Sequence, residues 1–158
     1  MTIRIEWANY DDLVCVANWL SDIDRLELAA TRDPNDYLRL ADDAYQSRYK
    51  LVALDDSAPI FAFGANPVGA DIVQVWGFKT KDGPRAIRAV TKCIRSYMIP
   101  GLRRIGINRA ACYVHRDNHG SRKWLAHLGF EPRATDGEIG TPLIHYQRDD
   151  LRGLSTAS

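Results

Sequence analysis

Few side chains in this sequence stand at spacings that suggest chemistry. His115 and Asp117 follow the apolar run Ala110 to Val114, and Asp71 precedes another, Ile72 to Phe78. A histidine titrates near neutrality and could move a proton, but at the end of an apolar run it reads first as a core-satisfied or solvated ring. His119 falls on the next predicted helix, so it makes no metal pair with His115, and no cluster has zinc-type spacing. Cys15, Cys93 and Cys112 are far apart and set in apolar stretches, the pattern of buried, reduced thiols rather than of a disulfide framework. Arg85, Arg88, Lys92 and Arg95 recur on one face of a predicted helix. Such a stripe could meet an anion or a partner, although for its C-terminal half a solvated face explains it.

The elements that must position these groups follow from pattern. Ile3 to Trp7 alternates like a half-buried strand. Asn9 caps a helix from Tyr10, with Leu13, Val16, Ala17 and Leu20 on one face. A second helical stretch surrounds Leu26 and Leu28. A third is expected to start with Asp33 as cap and Pro34 in its first turn, burying Tyr37, Ala41, Ala44 and Tyr45. Lys50 to Leu54 and Ile60 to Phe63 read as a hairpin, Gly64 to Gly69 as a loop, and Ile72 to Phe78 as a strand. The longest helix opens at Gly83-Pro84, buries Ile87, Val90, Ile94 and Tyr97 or Met98, and ends or kinks at Pro100-Gly101. A strand over Ala110 to Val114 leads to a helix over Asn118 to Leu128, stopped by Gly129. Phe130 to Arg133 and Leu143 to Tyr146 form a last strand pair, joined through Asp136-Gly137. The order β-α-α-β-β-β-α-β-α-β-β implies an α/β (α+β) chain, with a mixed central sheet and helices on both faces.

The chain has 158 residues, 46% hydrophobic and 26% charged, with formal net charge +1. These values suit one soluble domain over residues 1–150, with 151–158 as a polar tail. The charge and the lack of a recognition motif argue against nucleic-acid binding. No apolar run approaches the roughly 20 residues of a membrane span, and the N-terminus lacks a signal-peptide layout. A cytoplasmic chain is expected.

The segment NHGSRKWLAHLGFEP after the strand AACYV resembles the late β-α-β signature of the GNAT acyltransferase superfamily. The matching positions are Asn118, Ser121, Trp124-Leu125 and Gly129-Phe130, and the element order agrees over residues 3–147. More narrowly, SAPIFAFGANPVG, VWGFKTKDG and SRKWLAHLGF are similar to a GNAT-like internal virion protein family of short-tailed bacteriophages. That likeness implies a location in the host cytoplasm and the virion, with virion proteins as partners.

The broader resemblance implies acetyl-CoA or coenzyme A as co-substrate and an amine as acceptor, bound on a GNAT-like acyl-CoA N-acyltransferase fold. The pantetheine arm would lie where the fourth strand splays from the fifth, facing Trp76, Gly77 and Phe78. The pyrophosphate would meet the start of the next helix, at Lys79, Lys81, Gly83, Arg85 and Ala86. The family's glycine-rich loop is altered here: Thr80 stands for its basic residue, Pro84 removes a donor, and Arg85 stands for its second glycine. Asn118 and Ser121 complete the implied binding set. Leu125 stands where many relatives carry a tyrosine acid, and Tyr113 and Tyr146 are the nearby hydroxyls, so no catalytic residue is assigned. Two functions follow: an acetyl-CoA-dependent N-acyltransferase acting on an amine, or a phage structural protein that kept the fold and lost the chemistry.

Overall fold

A computed structural model describes residues 2–134 and 141–152. β1 (Ile3–Trp7) leads into three helices, α1 (Tyr10–Asn18), α2 (Asp22–Leu28) and α3 (Tyr37–Tyr45), at the three helical stretches expected there. β2 (Tyr49–Asp55), β3 (Ala58–Pro67) and β4 (Ile72–Lys79) form a meander. A 3₁₀ turn (Gly83–Ala86), α4 (Ile87–Cys93), a π turn (Ile94–Met98) and α5 (Ile99–Arg104) follow without a break. β5 (Arg109–His115), α6 (His119–His127), β6 (Glu131–Ala134) and β7 (Leu143–Arg148) complete the chain. The Asp136-Gly137 connection lies outside the described residues.

The strands form one sheet in the order β1-β2-β3-β4-β5-β7-β6. β4 and β5 run parallel, while the other neighbours are antiparallel. Side chains alternate between the sheet's faces, and each face buries a core. Leu51, Phe61, Phe63, Val73, Cys112 and Val114 pack with α4, α5 and α6. Val52, Leu54, Ala62 and Phe78 pack with α1 and α3.

Local chemistry explains the element ends. Asn9 and Asp12 form a reciprocal capping box on α1. The hairpin between β2 and β3 turns at Asp56, with φ 54°, a left-handed conformation that a short polar side chain tolerates. Asn118 caps α6 by accepting from Ser121 N–H at 3.2 Å. Gly129 leaves that helix at φ 87°, where a side chain would be strained.

Several expectations are corrected. The cap of α3 is Asp36, which accepts from Arg39 N–H, whereas Asp33 folds back onto Asn35 N–H. Leu40 takes the buried place on α3 expected of Tyr45, which is 42% exposed. Gly64 to Pro67 belongs to β3 rather than a loop. Gly64 is needed there because any Cβ would strike the Tyr49 carbonyl and the Trp76 ring. Helical structure continues through Pro100-Gly101 to Arg104. Pro100 has no N–H to donate, and the turn before it is a π turn in which Ile99 N–H reaches back to Ile94 C=O. Met98, not Tyr97, is the buried member of that helical stripe.

Leu151, expected to open the polar tail, packs in the core. Leu151 is 1% exposed, and its N–H donates to Asn108 C=O at 2.9 Å. We predict that Leu151→Ala costs about 2–5 kcal/mol in urea unfolding, as a buried leucine truncation does. A loss below about 1 kcal/mol would show that the site collapses without penalty.

Candidate functional site

β4 and β5 separate soon after they meet. Their paired residues are Ile72–Arg109, Val73–Ala110 and Gln74–Ala111, yet β4 continues to Lys79 and β5 to His115. From Val75 onward, backbone groups on the inner edge of β4 lack a strand partner. Lys79 sets their direction. Its N–H donates to Asp24 Oδ2 at 2.9 Å, and its C=O accepts from Ser21 N–H at 2.8 Å. Backbone groups alternate in direction along a strand, so those of Gly77 and Val75 also turn into the gap.

The short helix α2 closes the wide end of the gap. Ser21 caps it by accepting from Asp24 N–H. Asp24, 3% exposed, holds the end of β4 through the Lys79 N–H and also pairs with the Lys79 ammonium at 3.4 Å. One turn later, Glu27 Oε1 accepts from His115 N–H at 2.7 Å and from Asn118 Nδ2 at 3.4 Å. Two carboxylates thus stand in for the missing β4–β5 rungs. Burial pushes the Glu27 carboxyl above its ordinary pKa, and the Asp24 charge adds to the rise, against the His115 and Asn118 hydrogen bonds and the Lys79 charge.

Two hollows meet at this gap. The one toward α4 and α6 has a volume of about 140 Å³ and mostly apolar walls, including Val75, Ile94, Cys112 and Trp124. The one toward α2 and α3 is about 370 Å³, with a polar rim of Thr31, Arg32, Asp43, Asn66 and Gln74. Asp24, Glu27, Val75 to Phe78 and Tyr113 line both. A ligand arm entering from one face and an acceptor from the other would therefore meet beside Glu27. Above the apolar cleft, Trp124 Nε1 donates to Thr91 Oγ1 at 2.8 Å, tying α6 to α4.

The structure sorts the residues expected at the site. Gly77 faces the gap. Trp76 and Phe78 stand opposite Gly64 and Ala62 of β3 and stack on each other at 5.6 Å, with the Trp76 indole N–H on Ser47 Oγ. They are a wall between cleft and core. Ser121 lines the apolar cleft. Asn118 is 4% exposed and is used as helix cap and Glu27 partner. Ala86 is fully buried in the core. Gly83 is required by packing, since a Cβ there would lie 2.8 Å from the Ile60 carbonyl oxygen and nearer still to Lys79 Cβ.

Several backbone donors of the loop from Lys79 to Ala86 and of the turn after it point back into the chain. Gly83 N–H donates to Thr80 C=O and Arg85 N–H to Asp82 C=O, while Asp82 N–H reaches Thr80 Oγ1. Ile87 N–H, the next in line, returns to Pro84 C=O. Lys79 is committed to Asp24, and Arg85 pairs with Asp55 at 2.8 Å. Lys81 and Arg88 are exposed.

The other candidates separate clearly. His115 is 4% exposed, and its Nδ1 accepts from Asp117 N–H at 3.0 Å, so it is a satisfied core ring. Tyr146 is buried, with its hydroxyl accepting from Arg122 Nε. Tyr113 reaches both hollows and stacks on His145 at 5.1 Å. Asp71 is held well below the usual carboxylate range by Arg109 at the narrow end of β4. Burial raises the pKa of all three thiols, with Asp12 adding to the rise at Cys15 and Glu27 at Cys112, which keeps them protonated and unreactive. Among the described residues, no group of three or more His, Cys, Asp or Glu could hold a metal ion, and no helix is long and apolar enough to cross a membrane.

Asp24 and Glu27 were not singled out in the sequence. Acidic residues near a helix start complement the helix dipole, so their type and position alone mark no site. The Ser21 cap was the available signal that this short helix has a fixed position.

No protein-family model and no curated protein matches the sequence. Solved structures do. The GNAT domain of S. lividans PAT superposes with TM-score 0.71 at 16% identity, over 93% of this chain and 89% of that one. The PaiA N-acetyltransferase of Thermoplasma acidophilum, in complex with coenzyme A, gives 0.66 at 16% identity over 94% and 99%. YncA of Salmonella typhimurium, with its cofactor acetyl-CoA, gives 0.62 at 13% identity over 94% and 94%. The likeness is one of fold: this chain has the GNAT acyl-CoA N-acyltransferase architecture.

Because the folded state disfavours the Glu27 carboxylate, it retains a proton there that the unfolded chain has lost. Stability therefore falls as pH rises from the ordinary carboxyl pKa through the raised one. We predict that Glu27→Gln, compared with wild type by urea unfolding, gains relative stability as pH rises above the ordinary carboxyl pKa. A difference that stays constant over that rise would mean that Glu27 titrates like an exposed carboxyl.

Proposed function

We propose that this protein is an acyl-CoA-dependent N-acyltransferase that moves an acetyl or related acyl group onto an amine. The carrying observation is the gap between β4 and β5. It exposes the backbone of Val75 and Gly77, opens to both faces of the sheet, and has Glu27 at the passage.

The thioester arm fits this gap as an added strand, its amides pairing with the inner edge of β4. Gly77 offers open backbone, since it lacks the side chain that would stand in the approach. With the Asp82, Gly83 and Arg85 N–H groups turned inward, Lys81, Arg85 and Arg88 would hold the phosphates chiefly by charge. When bound, coenzyme A supplies the activated acyl group. Glu27 would accept the proton that the ammonium must lose before it can attack. Its carboxylate is oriented by His115 N–H and Asn118 Nδ2, and its raised pKa brings it closer to the range of an effective base. As the new C–N bond forms, the C–S bond breaks and the thiolate leaves with the electron pair. Tyr113, which lines both hollows, is the proposed proton donor to that sulfur, and the second proton shed by the acylated nitrogen restores its hydroxyl.

One observation favours a second reading. The inward loop and Leu125, buried on α6 in place of a hydroxyl, suit a chain that keeps the fold as a structural protein without the transfer. The virion version of that reading draws nothing from the structural neighbours.

Calorimetric titration with acetyl-CoA separates the two. The enzyme reading expects saturable micromolar binding, and no binding at millimolar ligand would sink it. In the same reading, Glu27→Gln keeps acetyl-CoA affinity while kcat on a responsive amine falls about 10²–10⁴-fold. An unchanged kcat would remove Glu27 as the base.

A further inference from the structure

We propose that the inner end of the apolar cleft is an acyl-chain site and that the preferred donor carries an acyl group longer than acetyl; this rests on the acyltransferase reading above. The outer part of the cleft, beside Gly77, Lys79, Glu27 and Ser121, is where backbone groups can meet the amides of a thioester arm. The cleft does not stop there. It runs along the inner face of β5 past Cys112 to Ala110, a residue paired with Val73 below the point where the strands part.

That inner end is closed by Met98, Leu102, Leu128, Phe130 and Leu151, each no more than 8% exposed. Apart from the Cys112 thiol, these walls offer no side-chain donor or acceptor. An amide pushed into them would lose its water without replacement, whereas a hydrocarbon chain would lose nothing. Apolar cavities of this kind stay dry and take apolar guests. An acetyl group at the gap would leave the inner end empty, and the polar rim of the opposite hollow suits the acceptor rather than a methylene chain.

A second observation points the same way. The π turn Ile94–Met98 lies in the wall of this cleft, and Ile94, Met98 and Ile99 all line it. An inserted residue widens the helix locally, and such bulges recur at functional sites.

The test is calorimetric titration of the whole chain with coenzyme A and with acetyl-, butyryl- and hexanoyl-CoA. Each buried methylene should tighten binding about fourfold up to hexanoyl. In Ala110→Leu, which fills the inner end, the affinities for acetyl- and hexanoyl-CoA should converge. Ala110→Val, with a smaller intrusion, gives the same comparison if the leucine variant fails to fold. Equal affinity for every thioester and for coenzyme A, or a maximum at acetyl, overturns the acyl-chain site and leaves the acyltransferase reading standing. Failure of all four ligands at millimolar concentration overturns both.

Discussion

The architecture depends on how two parallel strands can part inside a sheet without leaving their backbone unsatisfied. An unpaired peptide group buried from water costs about as much as a lost hydrogen bond, so a gap in a central ladder needs substitutes. Here α2 supplies them. Asp24 takes the N–H at the end of β4 and Glu27 takes the N–H at the end of β5. Both are charge-assisted bonds, which are stronger than the neutral rungs they replace. The intervening stretch, with Val75 and Gly77 on its inner edge, is left for a guest to complete.

That arrangement gives the two faces different characters. Toward α4 and α6 the gap opens onto the larger core cluster and inherits its apolar walls. Toward α2 and α3 it opens onto charged and amide side chains. Glu27 sits at the boundary, buried enough to raise its pKa and held by two donors that keep it from turning away. The loop before α4 has gone another way. Thr80, Asp82, Gly83 and Arg85 close hydrogen bonds among themselves, and Gly83 serves close packing against Ile60 and Lys79. These donors are thereby turned away from solvent.

Much of the fold was legible because it is written in local rules. Asn9, Asn118 and Gly129 mark helix ends by chemistry that needs no distant partner, and β4 shows its β-branched and aromatic run. The errors came where tertiary contacts overrode such rules. Gly64 looked like loop punctuation but is a close approach beneath Trp76. Leu151 looked like the start of a tail but fills the core beside Asn108. The candidate site was legible in its strands and largely illegible in its acids. Gly77 could be named from strand position, whereas nothing within α2 distinguishes Glu27 from a solvated helix residue. Its role appears only once His115 and Asn118 are brought against it.

The same pinning has a consequence for how the molecule assembles. Asp24 and Lys79 are 55 residues apart in the chain, and Glu27 and His115 are 88 apart. Loop-closure entropy must be lost before contacts of such separation can stabilise the fold, which slows their formation. The N-terminal helices and the β2–β4 meander can come together while the second half of the chain is still unfolded or still being made. Glu27 must then wait for β5, so the passage between the two hollows exists only after the whole sheet has closed. The gap and the carboxylates that border it are thus a product of the sheet's last pairings rather than of any one segment.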